Sequence, residues 1–251
     1  MKFLKLLLWV ILLFATFALH AHEETQKVAL EPEIFSNNAG HISYQFQLID
    51  LEKKTLIKDS DLSVGNEKLL HFIVYDSSLT DFQHLHPVYN GKSWVIEFDL
   101  NRNGDYWIWG QGILARNKTE FSASNNLSIA GGIESYPSPA ELELTRTGND
   151  SISSITLSDI QITAKKMVML DLKFSRTDGS APVITNYLGA MAHVIAVTDD
   201  GDSLVHVHVM SSKPTEGMVH ATFENPGKYR LWVQFLDNNI LRVVPLAIEV
   251  L

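Results

Sequence analysis

The sequence predicts an all-β protein: two tandem immunoglobulin-like, or cupredoxin-like, β-sandwich domains behind an N-terminal signal peptide. Three observations predict it. Short runs with period-two or β-branched character recur along the chain, each bounded by turn residues. No stretch after residue 21 carries the apolar stripe of a helix. One motif, His, twelve residues, His, one residue, His, occurs twice, as His71, His84, His86 and again 122 residues later as His193, His206, His208.

The first segment lies outside the fold. Met1–Ala21 opens with Lys2 and Lys5 and continues as an apolar run to Leu19, short for a membrane span and followed at once by polar residues. Cleavage after Ala21 makes His22 the new terminus, with cleavage after Ala18 as the competing site. It places the protein in a periplasm or outside the cell, with no stable membrane insertion. Strand-like runs then fall at 42–50, 69–75, 94–99 and 106–111. A second series falls at 166–174, 192–198, 204–209, 219–223, 229–236 and 241–250. Gly104-Asp-Tyr106-Trp-Ile-Trp109-Gly-Gln111 matches Gly227-Lys-Tyr229-Arg-Leu-Trp232-Val-Gln234 at an offset of 123. The two matches in one order divide the mature chain into repeats, residues 22–133 and 134–251. Pro137 and Pro139 stiffen the chain near the boundary. A Gly-x-Tyr opening a late strand, at Tyr106 and Tyr229, resembles the tyrosine corner of immunoglobulin-like domains.

Composition narrows the chemistry. The chain has 251 residues, a net charge of -9 and 45% apolar residues. That supports a packed core and argues against a nucleic-acid partner, which selects for a basic face. Cysteine is absent. That excludes disulfides, thiolate metal sites and cysteine nucleophiles. Any metal is left to imidazole, thioether or carboxylate. No phosphate-binding loop, dinucleotide fingerprint, GxSxG elbow or HExxH motif occurs.

The histidines carry the visible chemistry. Side chains alternate along a strand, so His84 and His86 share a face, as do His206 and His208. Asp200-Gly201 is a strong hairpin turn. The register it sets places His193 opposite His208, Ile195 opposite His206 and Met191 opposite Met210. The same register in the first repeat pairs His71 with His86. Each repeat then holds its own imidazole trio. Met191 and Met210 beside the second trio add thioethers that suit Cu(I), with Met218 and His220 alternating in step. The first trio, without thioethers, suits Cu(II) or Zn(II). A free His22 terminus can also grip copper through its amine and ring, with His41 or a trio member as the third ligand. The plainer reading is that the rings are neutral core residues bonding a loop.

Asp81-Phe-Gln-His84-Leu-His86-Pro87 with Trp94 following, and Tyr187-Leu-Gly-Ala-Met-Ala-His193, His206-Val-His208 and Gly227–Phe235, resemble a group of secreted bacterial proteins with a duplicated β-domain. That group is similar to the small extracytoplasmic domains found with copper-handling genes, including the YtkA-like group. The resemblance implies a secreted β-sandwich with a metal role, at His71, His84, His86, His193, His206 and His208, and implies no reaction. The sequence departs from it at Val209, where proline is more usual, which puts the local strand end in question.

Three functions follow from these readings. The first is an extracytoplasmic metal-binding protein, for copper ahead of zinc, acting in storage, delivery or resistance. The second is a non-catalytic immunoglobulin-like interaction module for an envelope protein partner, with structural histidines. The third is a copper-dependent oxidase built on His22.

Overall fold

The computed structural model describes residues 27–137 and 142–251. The expected signal peptide and His22 lie outside the described residues. The described chain is all β, apart from one 3-10 turn at Asp59–Asp61. Among these residues no helix is long and apolar enough to cross a membrane.

In chain order the strands are β1 (Val28–Ile34), β2 (Gly40–Asp50), β3 (Thr55–Leu56), β4 (Leu62–Ser63), β5 (Leu70–Asp76), β6 (Phe82–Leu85), β7 (Val88–Tyr89), β8 (Trp94–Leu100), β9 (Gly104–Leu114) and β10 (Glu120–Ile129). There follow β11 (Thr147–Asn149), β12 (Ser153–Leu157), β13 (Met167–Arg176), β14 (Ile184–Thr185), β15 (Ala192–Thr198), β16 (Leu204–Lys213), β17 (Glu216–Thr222), β18 (Gly227–Asp237) and β19 (Ile240–Val250). They form three antiparallel sheets. One runs β1-β2-β8-β7 with β3 on β2, and the next runs β10-β9-β5-β6 with β4 on β9. The third has nine strands, β11-β12-β13-β17-β16-β15-β18-β14, with β19 on β18.

Two cores lie inside these layers. The first gathers Tyr44, Phe46, Phe72, Trp94 and Ile108 from residues 28–129. The second gathers Leu170, Phe174, Val194, Leu231 and Phe235 from residues 155–250. The tyrosine-corner bonds form in both halves: Tyr106 Oη donates to the Arg102 carbonyl at 3.3 Å and Tyr229 Oη to the Asn225 carbonyl at 2.8 Å.

A third cluster joins the halves, and it explains why β5 and β15 carry apolar residues on both faces. Both are buried along their whole length. On β5, Leu70, Phe72 and Val74 face their own core, while Ile73 and Tyr75 join Ile195, Val197 and Trp232 across the junction. On β15, Ala192, Val194 and Ala196 face inward and Ile195 and Val197 face the other half. A strand covered on both faces loses the polar half of its alternation. Phe82 stacks on Trp232 with centroids 4.5 Å apart. Trp109 Nε1 donates to Tyr75 Oη, and Tyr75 Oη donates to the Gly201 carbonyl, each at 2.7 Å.

Candidate metal centre

His71 and His193 occupy the junction-facing positions of β5 and β15. His193 pairs with His208, and Ile195 with His206, which is the register that the Asp200-Gly201 turn dictates. In the first half Ile73 pairs with His84 and Phe72 with Leu85, the equivalent register. The strand ends at Leu85, so His86 sits one residue beyond it rather than in a strand pair with His71.

The sequence reading gave each repeat its own trio; the structure brings the six rings together. Because β5 and β15 turn these faces toward each other, the two trios meet across the junction. The His71 and His206 centroids are 5.1 Å apart, as are those of His84 and His206. Within the halves, His71–His86 is 5.1 Å and His193–His208 is 4.7 Å. Two sets of three rings have ligand nitrogens within 4.8 Å of one another: His71, His84 and His206, and His193, His206 and His208. The first set draws on both halves, and His206 belongs to both sets.

Hydrogen bonds fix the tautomers. His71 Nε2 donates to the Gly65 carbonyl at 3.1 Å, and His193 Nε2 to the Tyr187 carbonyl at 3.0 Å. A carbonyl only accepts, so in the neutral rings both Nδ1 atoms carry lone pairs. The partner rings are held from across the junction. His206 Nδ1 donates to Gln111 Oε1 at 3.1 Å, and His84 Nδ1 donates to Gln234 Oε1 at 2.9 Å. Gln111 Nε2 donates to Ser122 Oγ at 3.2 Å. His84 Nε2 and His206 Nε2 therefore carry lone pairs as well. His71 Nδ1 lies 3.0 Å from His84 Nε2, and His193 Nδ1 lies 3.3 Å from His206 Nε2. With the Gln111 and Gln234 oxygens facing the rings neither gap contains a donor, whereas a proton on either nitrogen makes each gap an N–H···N hydrogen bond.

Burial keeps these rings neutral. It pushes the His84 and His206 imidazoles well below the usual histidine range, with the neighbouring rings adding to the effect. Burial holds His86 at about 3 and His193 and His208 at about 4. His71 shifts down for the same reason, and the Lys68 charge adds to it. His86 Nε2 is buried without a hydrogen-bond partner. The Asn66 amide nitrogen reaches His208 Nε2 at 2.8 Å from the first half.

The other candidates separate. Met191 precedes β15 and turns into the second core, 4% exposed, beside Val209 and Gly217. Met210 is 62% exposed and borders a cavity of about 390 Å³ that also touches His71, His206, His208 and His220. His41 is exposed and hydrogen-bonds Asp99 at 3.0 Å. Gln111 and Gln234 are the residues that the histidine spacing missed. Their signal was present, because each closes the second matched stretch, at an offset of 123.

Residues 147–251 match the model of a domain of unknown function, DUF8832. No curated protein matches the chain. Among solved structures, the fibronectin(III)-like modules of Clostridium thermocellum CbhA align with 9% identity and a TM-score of 0.24, covering 89% of this chain and 92% of theirs.

Proposed function

We propose that this protein binds a transition-metal ion at a centre built jointly by its two halves, with copper as first choice and zinc as the alternative. The observation that carries the reading is the pair of short nitrogen–nitrogen gaps, 3.0 and 3.3 Å, inside a buried cluster of six imidazoles. Two lone pairs at that separation repel unless a proton or a metal ion lies between them. Two nitrogens held roughly 2.0–2.1 Å from a tetrahedral ion stand about 3.3 Å apart. Neutral imidazoles suit copper and zinc alike. The unpartnered His86 Nε2 adds a further donor, since a buried polar atom without a partner is costly. The duplicated histidine spacing and the Lys2, Lys5 and apolar opening support an extracytoplasmic role in storage, delivery or resistance. We read residues 22–133 and 134–251 as tandem immunoglobulin-like sandwiches from one duplication.

Native mass spectrometry of the protein titrated with Cu(I), Cu(II) and Zn(II), beside His84→Ala/His206→Ala, tests the reading. Tight binding by the native protein and its loss in the folded variant is the expected result. Long-range ¹H–¹⁵N spectra of the metal-free protein supply a second readout, which should show Nε2–H on His71 and His193 and Nδ1–H on His84 and His206. A proton on His84 Nε2, bonded to His71 Nδ1, together with no metal uptake, makes the cluster a structural network and moves the search to protein partners.

A further inference from the structure

The outer face of the second half carries a methionine patch that the junction centre does not use. On β13, Leu170, Leu172 and Phe174 enter the core, so Met169 and Asp171 point outward. On β17, Val219 and Ala221 enter the core, so Met218 and His220 point outward. The pairings bring these outward residues together: Met169 is opposite His220, Asp171 is opposite Met218, and Met218 is opposite Met210 of β16. Directly opposed residues have Cβ atoms about 4.5–5.5 Å apart, within reach of a methionine side chain. Met169 is 53% exposed and Met210 62% exposed. An outward strand position favours β-branched or aromatic residues, or a polar one. Three neighbouring thioethers beside an imidazole are instead a soft donor set. The patch also adjoins the centre. His208 lies two residues before Met210 on β16, and His208, Met210 and His220 border the same cavity.

We propose that Met169, Met210, Met218 and His220 form a separate site for Cu(I), which loads the six-histidine centre through the shared cavity. The site stands on its own residues; only the loading step rests on the centre's being a metal site. Asp171, facing Met218, adds a carboxylate that favours a cation. Thioethers carry no proton, so the three sulfur donors bind without proton release. They are poor donors for Zn(II), so the patch separates Cu(I) from it.

Methyl-¹³C methionine spectra of the whole protein, titrated with Cu(I) and with Ag(I) as a redox-inert stand-in, read the site directly. The Met169, Met210 and Met218 methyls should move, and the buried Met191 methyl should stay. Met169→Leu/Met210→Leu/Met218→Leu, at outward positions, should lose a Cu(I) equivalent and keep Zn(II) binding at the histidines. Its histidine centre should also fill more slowly from a Cu(I) chelate, to the same endpoint. Unmoved methyls, or full Cu(I) uptake by the leucine variant, overturn the site. Equal filling rates overturn the loading role. Methyl shifts that follow dilution of the protein instead of added ion also overturn the site and make the patch a contact between copies of the chain. Failure of the junction centre reads differently: histidine resonances stay fixed with every metal while the methionine methyls still respond to Ag(I).

Discussion

At the scale of single residues, the centre depends on two glutamines as much as on its imidazoles. Gln111 holds His206 and Gln234 holds His84, each from the opposite half. Partners of this kind fix which ring nitrogen faces the ion and keep the ring from rotating. Gln111→Leu and Gln234→Leu remove the acceptor and leave the imidazole in place. Each should weaken metal binding by about 10–100-fold, the usual cost of losing such a partner, as competition with a chelator of known affinity would read. Affinity unchanged in both variants would mean that the packing alone orients the rings. The histidines were legible because the motif recurs. The glutamines lay inside a recurring stretch too, but a lone glutamine within a strand carries no chemistry until the fold shows what stands across from it. Met191 shows the converse. Alternation put it beside the trio, but it precedes the first paired residue of β15, so the chain bends it into the core.

At the scale of elements, one tight turn before β5 and before β15 does the positioning. Asn66 and Glu67 have φ of 48° and 64°, and Leu188 and Gly189 have 49° and 76°. Each turn closes on itself, Gly65 with Lys68 and Tyr187 with Ala190. That closure aims the Gly65 and Tyr187 carbonyls at His71 and His193. Leucine is a poor residue for the left-handed region, which costs a non-glycine residue about 1–2 kcal/mol. Leu188→Gly should therefore stabilise the protein by about 1 kcal/mol, after glycine's own entropy is subtracted, as read from the urea midpoint. A lower midpoint would show that the half-buried Leu188 side chain contributes more by packing than its backbone loses. Another element settles the question left open at Val209. Proline supplies no N–H to a ladder. Where Pro87 stands, the chain breaks between β6 and β7, and the first half has two separate sheets. Where Val209 stands, β16 runs unbroken from Leu204 to Lys213, pairs first with β15 and then with β17, and joins the second half into one nine-stranded sheet. Strand β10, which sequence reading passed over, is rich in serine and asparagine and buries one alternating face through Phe121, Ala123, Leu127 and Ile129.

At the scale of the whole molecule, six neutral imidazoles sit where the two halves meet, so the stability of the junction is linked to protons. Burial lowers these rings in the folded state, to about 3 for His86 and about 4 for His193 and His208, against about 6.5 when the chain unfolds. Below pH 6.5 the unfolded chain then binds more protons than the folded one, so stability must fall as pH falls. The loss begins near pH 6.5 and continues until the folded rings themselves take up protons, at about 3 to 4 for those three. It precedes the acid range in which carboxylates such as Asp50 and Asp237, lowered in the fold, begin to contribute. The metal-free protein should thus hold its melting temperature above pH 6.5 and lose it steadily between pH 6.5 and 5. Bound ion should raise the curve at every pH in that window, because it binds the folded state alone. His84→Gln/His206→Gln removes the two most strongly shifted rings and should flatten the slope. Calorimetry across that range decides between this and a junction held only by Ile73, Tyr75, Ile195 and Trp232, which would give the native and variant proteins the same slope. A metal ion held by these rings, as proposed, would stabilise both halves together.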